Sequence, residues 1–193
     1  MIMNTSSAKV SKRGFTLVEL LVVIGILAIL TAAVVVVLNP AELLKQSRDA
    51  QRFSDFSAIQ SAVSLYLSTA QSPQFSDGTN NKAFSMVTPP NCFGMTAGVS
   101  CAVNASTTID GTGWVAVNFN ELSLVNLSSP LSALPTDPIN NASYHYASAF
   151  DAADRYYQID TVLESNKYAT RMATDGGSSS TVYEVGNKPG LNL

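Results

Sequence analysis

Lys12-Arg13-Gly14-Phe15-Thr16-Leu17-Val18-Glu19-Leu20 opens an apolar run that continues to Leu38. A short basic leader meets a membrane-length hydrophobic segment, and one carboxylate stands as the fifth residue of that segment. A lone acid in a bilayer-spanning helix is costly, and such residues commonly mark function and have a partner. No Lys, Arg or His lies between Phe15 and Leu38. A partner for Glu19 must therefore come from another molecule or from a terminus made by processing.

As a helix, the run from Phe15 to Leu38 spans about 36 Å at ~1.5 Å per residue, enough to cross a ~30 Å hydrocarbon core with some tilt. A secretory signal has an apolar region of only ~7–15 residues followed by a small-residue cleavage site. Here the run is longer, and no such site precedes Asn39-Pro40. The leader carries Lys9, Lys12 and Arg13 and no acid. On the far side Lys45, Arg48 and Arg52 are interleaved with Glu42, Asp49 and Asp55. The basic leader on the first helix favours the N-terminus in and the rest of the chain out.

Gly-Phe-Thr-Leu-Val-Glu-Leu-Leu after a basic leader resembles the prepilin cleavage and methylation motif of bacterial type IV pilins and type II secretion pseudopilins. The resemblance is strongest over residues 9 to about 70. It implies cleavage between Gly14 and Phe15 by a membrane prepilin peptidase and N-methylation of the new terminal Phe15. It also implies that Glu19 pairs with the Phe15 amine of a neighbouring subunit as a filament assembles on an inner-membrane platform. Methylation leaves the amine cationic, so the pair is physically sensible. Attraction in low dielectric is strong, and desolvation takes back much of it, which suits a register device better than bulk adhesive. A lone acid near a helix end that snorkels to the interface is the plain alternative.

The chain divides on this reading into a leader (1–14), a transmembrane and assembly helix (15–38), an amphipathic helix that docks a head (39–70) and an extracytoplasmic head (71–193). Loss of residues 1–14 removes three of eleven basic residues and none of fourteen acidic ones. The remainder is acidic, which argues against a general nucleic-acid binder.

Asn39-Pro40-Ala41-Glu42 combines a favoured N-cap, a favoured first helical residue and a capping-box acid, so the helix is expected to break there and restart. Phe53, Phe56, Ile59, Val63 and Tyr66, with Leu67, recur at spacings of three and four and form one apolar face. Arg48, Asp49, Arg52, Asp55 and Gln60 fall on other faces.

From Gln71 the period changes. Ser72-Pro73, Asp77-Gly78 and Pro89-Pro90 punctuate a loop-rich stretch. Residues 114–119 alternate as a strand should, after the turn signal Asp110-Gly111-Thr112-Gly113. Further strands are expected over 144–147 and 156–162, joined by Phe150–Asp154, with weaker candidates at 169–172 and 182–185. A helix followed by antiparallel strands indicates an α+β fold with the sheet packed on the helix. Leu134-Pro135-Thr136-Asp137-Pro138-Ile139-Asn140-Asn141 ahead of aromatic strands resembles the head of G-type pseudopilins.

Cys92 and Cys101 are the only cysteines. In an exported head they would close a small loop, stabilising it by roughly 2–3 kcal/mol on the chain-entropy model. Free thiols are the alternative; two thiols with no adjacent His fall short of a metal's four ligands. G-type pseudopilins bind calcium in a loop late in the head, which makes Asp175, with Asp137 or Glu184, a calcium candidate. A plain Asp-Gly turn is the competing reading. No other cofactor is expected.

Enzyme constellations are absent. The single histidine, His145, lies in an aromatic pattern that suits packing better than base catalysis. There is no GxxxxGK[ST] loop, HExxH or paired CxxC. The expected function is a structural subunit of a type IV pilus or type II secretion pseudopilus. The alternative is a membrane-anchored minor pilin whose head is an adhesion or DNA-binding module. An intact Glu19 favours the major-subunit reading, because a minor initiator of this kind can lack that acid.

Overall fold

A computed structural model describes residues 14–75, 81–95 and 99–190. The basic leader residues Lys9, Lys12 and Arg13, the Asp77-Gly78 turn signal and Gly98 lie outside the described residues. The chain forms two compact units, 1–40 and 41–193.

The first unit holds α1 (Leu17–Leu38), a 22-residue helix with no buried residue. Its side chains are apolar on every side, the mark of a membrane span or of a deeply buried helix. At ~1.5 Å per residue it rises about 33 Å, which matches a hydrocarbon core. It is the one described helix long and apolar enough for single-pass membrane anchoring. The Thr31 hydroxyl is satisfied within the helix by donating to the Leu27 carbonyl (2.7 Å). Asn39, at φ 41°, caps the C-terminus in the left-handed region that Asn tolerates. The helical pattern resumes at Pro40, a residue pre-set for a first helical position.

In the second unit α2 (Pro40–Thr69) buries Phe56, Ile59, Ala62, Val63 and Tyr66, the face its periodicity predicts. That face packs on a five-stranded sheet of β1 (Lys82–Ser85), β2 (Cys101–Val103), β3 (Ala147–Asp151), β4 (Tyr156–Thr161) and β5 (Tyr183–Gly186), in the order β2-β1-β3-β4-β5. The architecture is α+β and pilin-like. The sheet is mixed and not wholly antiparallel, because β1 and β2 run parallel while the other pairs are antiparallel.

The sheet's two faces differ in chemistry. Tyr157 and Ile159 of β4 and Phe150 of β3 face a core shared with α2, Phe75, Trp114–Val117, Phe119 and Leu122. The opposite face carries Ala83, Ala147 and Ala149, small enough for Cys92 and Met95 to lie on them. Between β3 and β4 the chain turns over residues 152–155. Asp151 Oδ1 accepts the Ala153 and Asp154 amides there (2.9 and 3.0 Å), and Arg155 sits at φ 58°.

Three expected elements differ from what is found. Residues 114–117 are not a strand: all four are fully buried, the Val117 amide bonds back to the Val115 carbonyl (2.8 Å), and pairing is limited to isolated bridges. Their alternation continues into a 3-10 helix, Phe119–Val125. The strand expected over 144–147 begins only at Ala147, because Asn141 Oδ1 gathers the Ser143 and Tyr144 amides into a turn (both 2.9 Å). Residues Ala169–Ala173 form a 3-10 helix instead of a strand.

Candidate functional site

The first candidate site lies where α1 begins. Thr16 is its N-cap, in extended conformation, and its hydroxyl accepts the Glu19 amide (3.2 Å). In return Glu19 Oε2 accepts both the Thr16 amide and the Thr16 hydroxyl, each at 2.8 Å. This is a complete capping box, which satisfies two of the orphan donors at a helix start. Glu19 thus has a partner within its own chain, and the signal was present in the sequence as Thr-x-x-Glu. Glu19 Oε1 makes no hydrogen bond among the described residues. Phe15 precedes the cap and is 87% exposed, and a Cβ built on Gly14 would meet nothing within 4 Å. The Gly14–Phe15 bond is therefore uncrowded.

Residues 9–35 match the prokaryotic N-terminal methylation motif.

The motif indicates a type IV pilin-like or pseudopilin precursor, and it implies processing by prepilin peptidase and membrane-associated assembly. No curated protein and no solved structure matches the chain.

The second site is a charged cluster in the unit of residues 41–193. Arg52 is fully buried. Its Nε and Nη2 fork onto Asp137 (2.6 and 3.0 Å), and Nη1 donates to Asp49 (2.9 Å) and Glu164 (2.6 Å). Arg48 forks onto Glu164 from Nε (2.8 Å) and Nη2 (2.6 Å). Asp49 also accepts the Glu164 and Ser165 amides (3.0 and 2.8 Å), so every acid has more than one donor. Burial works against the Arg52 charge, but the bonds from Asp137 and Glu164 outweigh it and hold the guanidinium above its ordinary value. Burial likewise pushes the Glu164 carboxyl up, and the bonds from Arg48 and Arg52 pull it below its ordinary value. Next to this cluster, burial raises Asp55, which accepts from Tyr146 (2.7 Å) and Gln51 (2.6 Å). The charged residues off the apolar stripe are thus a second docking device, which periodicity alone did not reveal.

Cys92 and Cys101 are joined by a disulfide, with Cα atoms 5.8 Å apart. It ties the loop over the alanine face to the first residue of β2, the edge strand. His145 is buried beneath the same loop: its ring stacks on Phe93 (4.6 Å between centroids) and reaches the Asn91 and Asn141 carbonyls (2.9 and 3.2 Å). It links two loops, with no Ser or Cys among the described residues bonded to it.

Asp175 lies in the turn before β5. Its Oδ1 accepts the Gly177 amide (2.9 Å) and its Oδ2 the Glu184 amide (2.8 Å). The latter covers an edge-strand amide, a common protection against unwanted strand pairing. Asp137 is engaged with Arg52, while Glu184 accepts from Gln158 (2.9 Å) and the Ser179 amide (3.0 Å). Among the described residues no group of three His, Cys, Asp or Glu side chains is placed to hold a metal ion. Asp160 lies directly opposite Glu184 across β4 and β5, and one Gln158 amide group donates to both carboxylates. Burial lifts Asp160 well above the usual carboxylate range, and its Oδ2 has no hydrogen-bond partner among the described residues.

Proposed function

We propose that this chain is a structural subunit of a type IV pilus or type II secretion pseudopilus, without catalysis of its own. Prepilin peptidase cuts between Gly14 and Phe15, Phe15 is N-methylated, and the subunit is held in the inner membrane by α1 with its head outside. Assembly on the membrane platform then stacks α1 helices into a filament. The observation that carries this reading is the Thr16–Glu19 box within the matched motif. It fixes the Glu19 carboxylate at the helix start through Oε2 and leaves Oε1 for a donor from outside the chain. A cationic Phe15 amine of a neighbouring subunit is a donor of the right charge, and it exists only after cleavage. Because the acid is pre-oriented, little side-chain entropy is lost on pairing.

Intact-mass analysis of the protein from membranes of cells with an active prepilin peptidase tests this. The expected species begins at methylated Phe15. A mature protein that still carries residues 1–14 overturns the proposal.

A further inference from the structure

A hollow of about 430 Å³ opens in the unit of residues 41–193, between α2, the 3-10 helix Ala169–Ala173 and β5. Its size falls in the range of small-ligand sites. We infer that it is a saccharide-binding site, with Arg171, Gln60 and Tyr183 as its principal contacts.

The argument begins with Arg171. Its guanidinium lies over the Phe53 ring (4.6 Å) and the Tyr168 ring (5.4 Å), so two aromatic faces fix its position. It makes no side-chain hydrogen bond or ion pair among the described residues, although Asp175 and Glu184 line the same hollow. A guanidinium has five N–H donors; here, on an exposed side chain that rests on two rings, none is bonded to another described residue. The Gln60 amide and the Tyr183 hydroxyl line the hollow too, and neither has a hydrogen-bond partner among the described residues. Asp175 and Glu184 are held by backbone amides and retain accepting capacity. Val185, Pro189 and the Tyr183 ring add apolar surface.

The hollow therefore sets side-chain donors beside carboxylates anchored by backbone amides, with apolar patches between them. An anion would meet two carboxylates for one guanidinium. A metal ion would compete with the amides that already hold Asp175 and Glu184. A vicinal diol fits both sets at once, since each hydroxyl can accept from Arg171 or Gln60 while donating to a carboxylate, and a pyranose ring also offers a C–H face to apolar surface. The ligand class that satisfies these groups is a neutral hexose or N-acetylhexosamine.

Saturation-transfer NMR on the full chain in detergent micelles tests this, with methyl glycosides of glucose, galactose, mannose and N-acetylglucosamine as probes. Inorganic phosphate, sialyllactose and calcium chloride are the charged arms. At least one neutral glycoside should bind, and Arg171→Lys should weaken it at least tenfold, because a lysine keeps the charge and loses the planar fork. Gln60→Ala, a change at an exposed position of α2, should weaken it several-fold while leaving the far-UV spectrum unchanged. Saturation transfer from none of the neutral glycosides, binding that survives both substitutions, or a response to phosphate or calcium alone would each overturn the inference. The membrane-processing result is independent of all these outcomes.

Discussion

Arg52→Met should be among the most damaging single changes available in the head. It keeps most of the side-chain volume and removes only the charge and its donors. Arg52 makes four hydrogen bonds, to Asp137 twice, to Asp49 and to Glu164. Arg48 still neutralises Glu164 afterwards, but Asp49 and Asp137 are left buried with no cation bonded to them among the described residues. Breaking a buried ion pair from one side costs about 3–5 kcal/mol. A domain of this size has ~5–15 kcal/mol in total, so the loss is a large share. Urea unfolding of the full chain in detergent, followed by the fluorescence of Trp114, reads it directly; Trp114 is the only tryptophan and is fully buried. The pH dependence supplies a second check. In the native chain Glu164 is held below its ordinary value, so its stabilisation stands above the unfolded value of ~4.3 and drains away as pH falls through the folded value. Adding Asp137→Asn, which keeps an oxygen for the Ile139 and Asn140 amides, should recover about 1 kcal/mol. A deficit below about 1 kcal/mol would refute the view that the cluster clamps α2 to the head.

The disulfide closes a nine-residue separation, so Cys92→Ser with Cys101→Ser should lower head stability by about 2–3 kcal/mol on the chain-entropy model while leaving membrane insertion intact; urea midpoints and membrane fractionation check both halves. Asp160→Asn should stabilise the head at pH 8. An acid whose folded value is raised is penalised progressively as pH rises above its unfolded value, so the gain vanishes near pH 4 and grows upward; thermal melts across that range would show a flat difference if burial were not the cause. Glu19→Ala should leave head folding and precursor cleavage near normal yet sharply reduce sheared surface filaments, and wild-type filament yield in a strain with no substitute subunit would reduce Glu19 to a helix cap.

What the sequence disclosed follows from which physical signal dominated each segment. The apolar run and the stripe Phe56–Tyr66 were legible because a helix must repeat every 3.6 residues wherever one face is buried. The pair Tyr156–Thr161 and Tyr183–Gly186 was legible for the matching reason at period two. Lys82–Ser85 and Cys101–Val103 were missed, since strands of four and three residues carry too few alternations to stand out. Trp114–Phe119 misled because a fully buried loop is as apolar as a strand. Around Arg52, polarity suggested solvent, and only contacts more than eighty residues away along the chain reveal that the charge is enclosed. The cap at Thr16 was hard to read because its Thr-x-x-Glu pattern falls at the edge of an apolar run, where an acid equally suits a partner from another chain.

The clamp on α2 also fixes an order of events. Arg52 finds its acids at residues 137 and 164, and Glu42 accepts the amide of Asn166. Ribosomes release the chain from its N-terminus, so the charged half of α2 emerges long before any of these partners exists. Until residue 137 has been made, Arg52 has only Asp49 among the acids it bonds, and the apolar stripe lacks β3, β4 and β5 to cover it. Closing such distant pairings carries a loop-entropy cost that only the finished sheet repays. A nascent subunit truncated before Asp137 would therefore be a helix in search of a head, and a ready target for quality-control proteases.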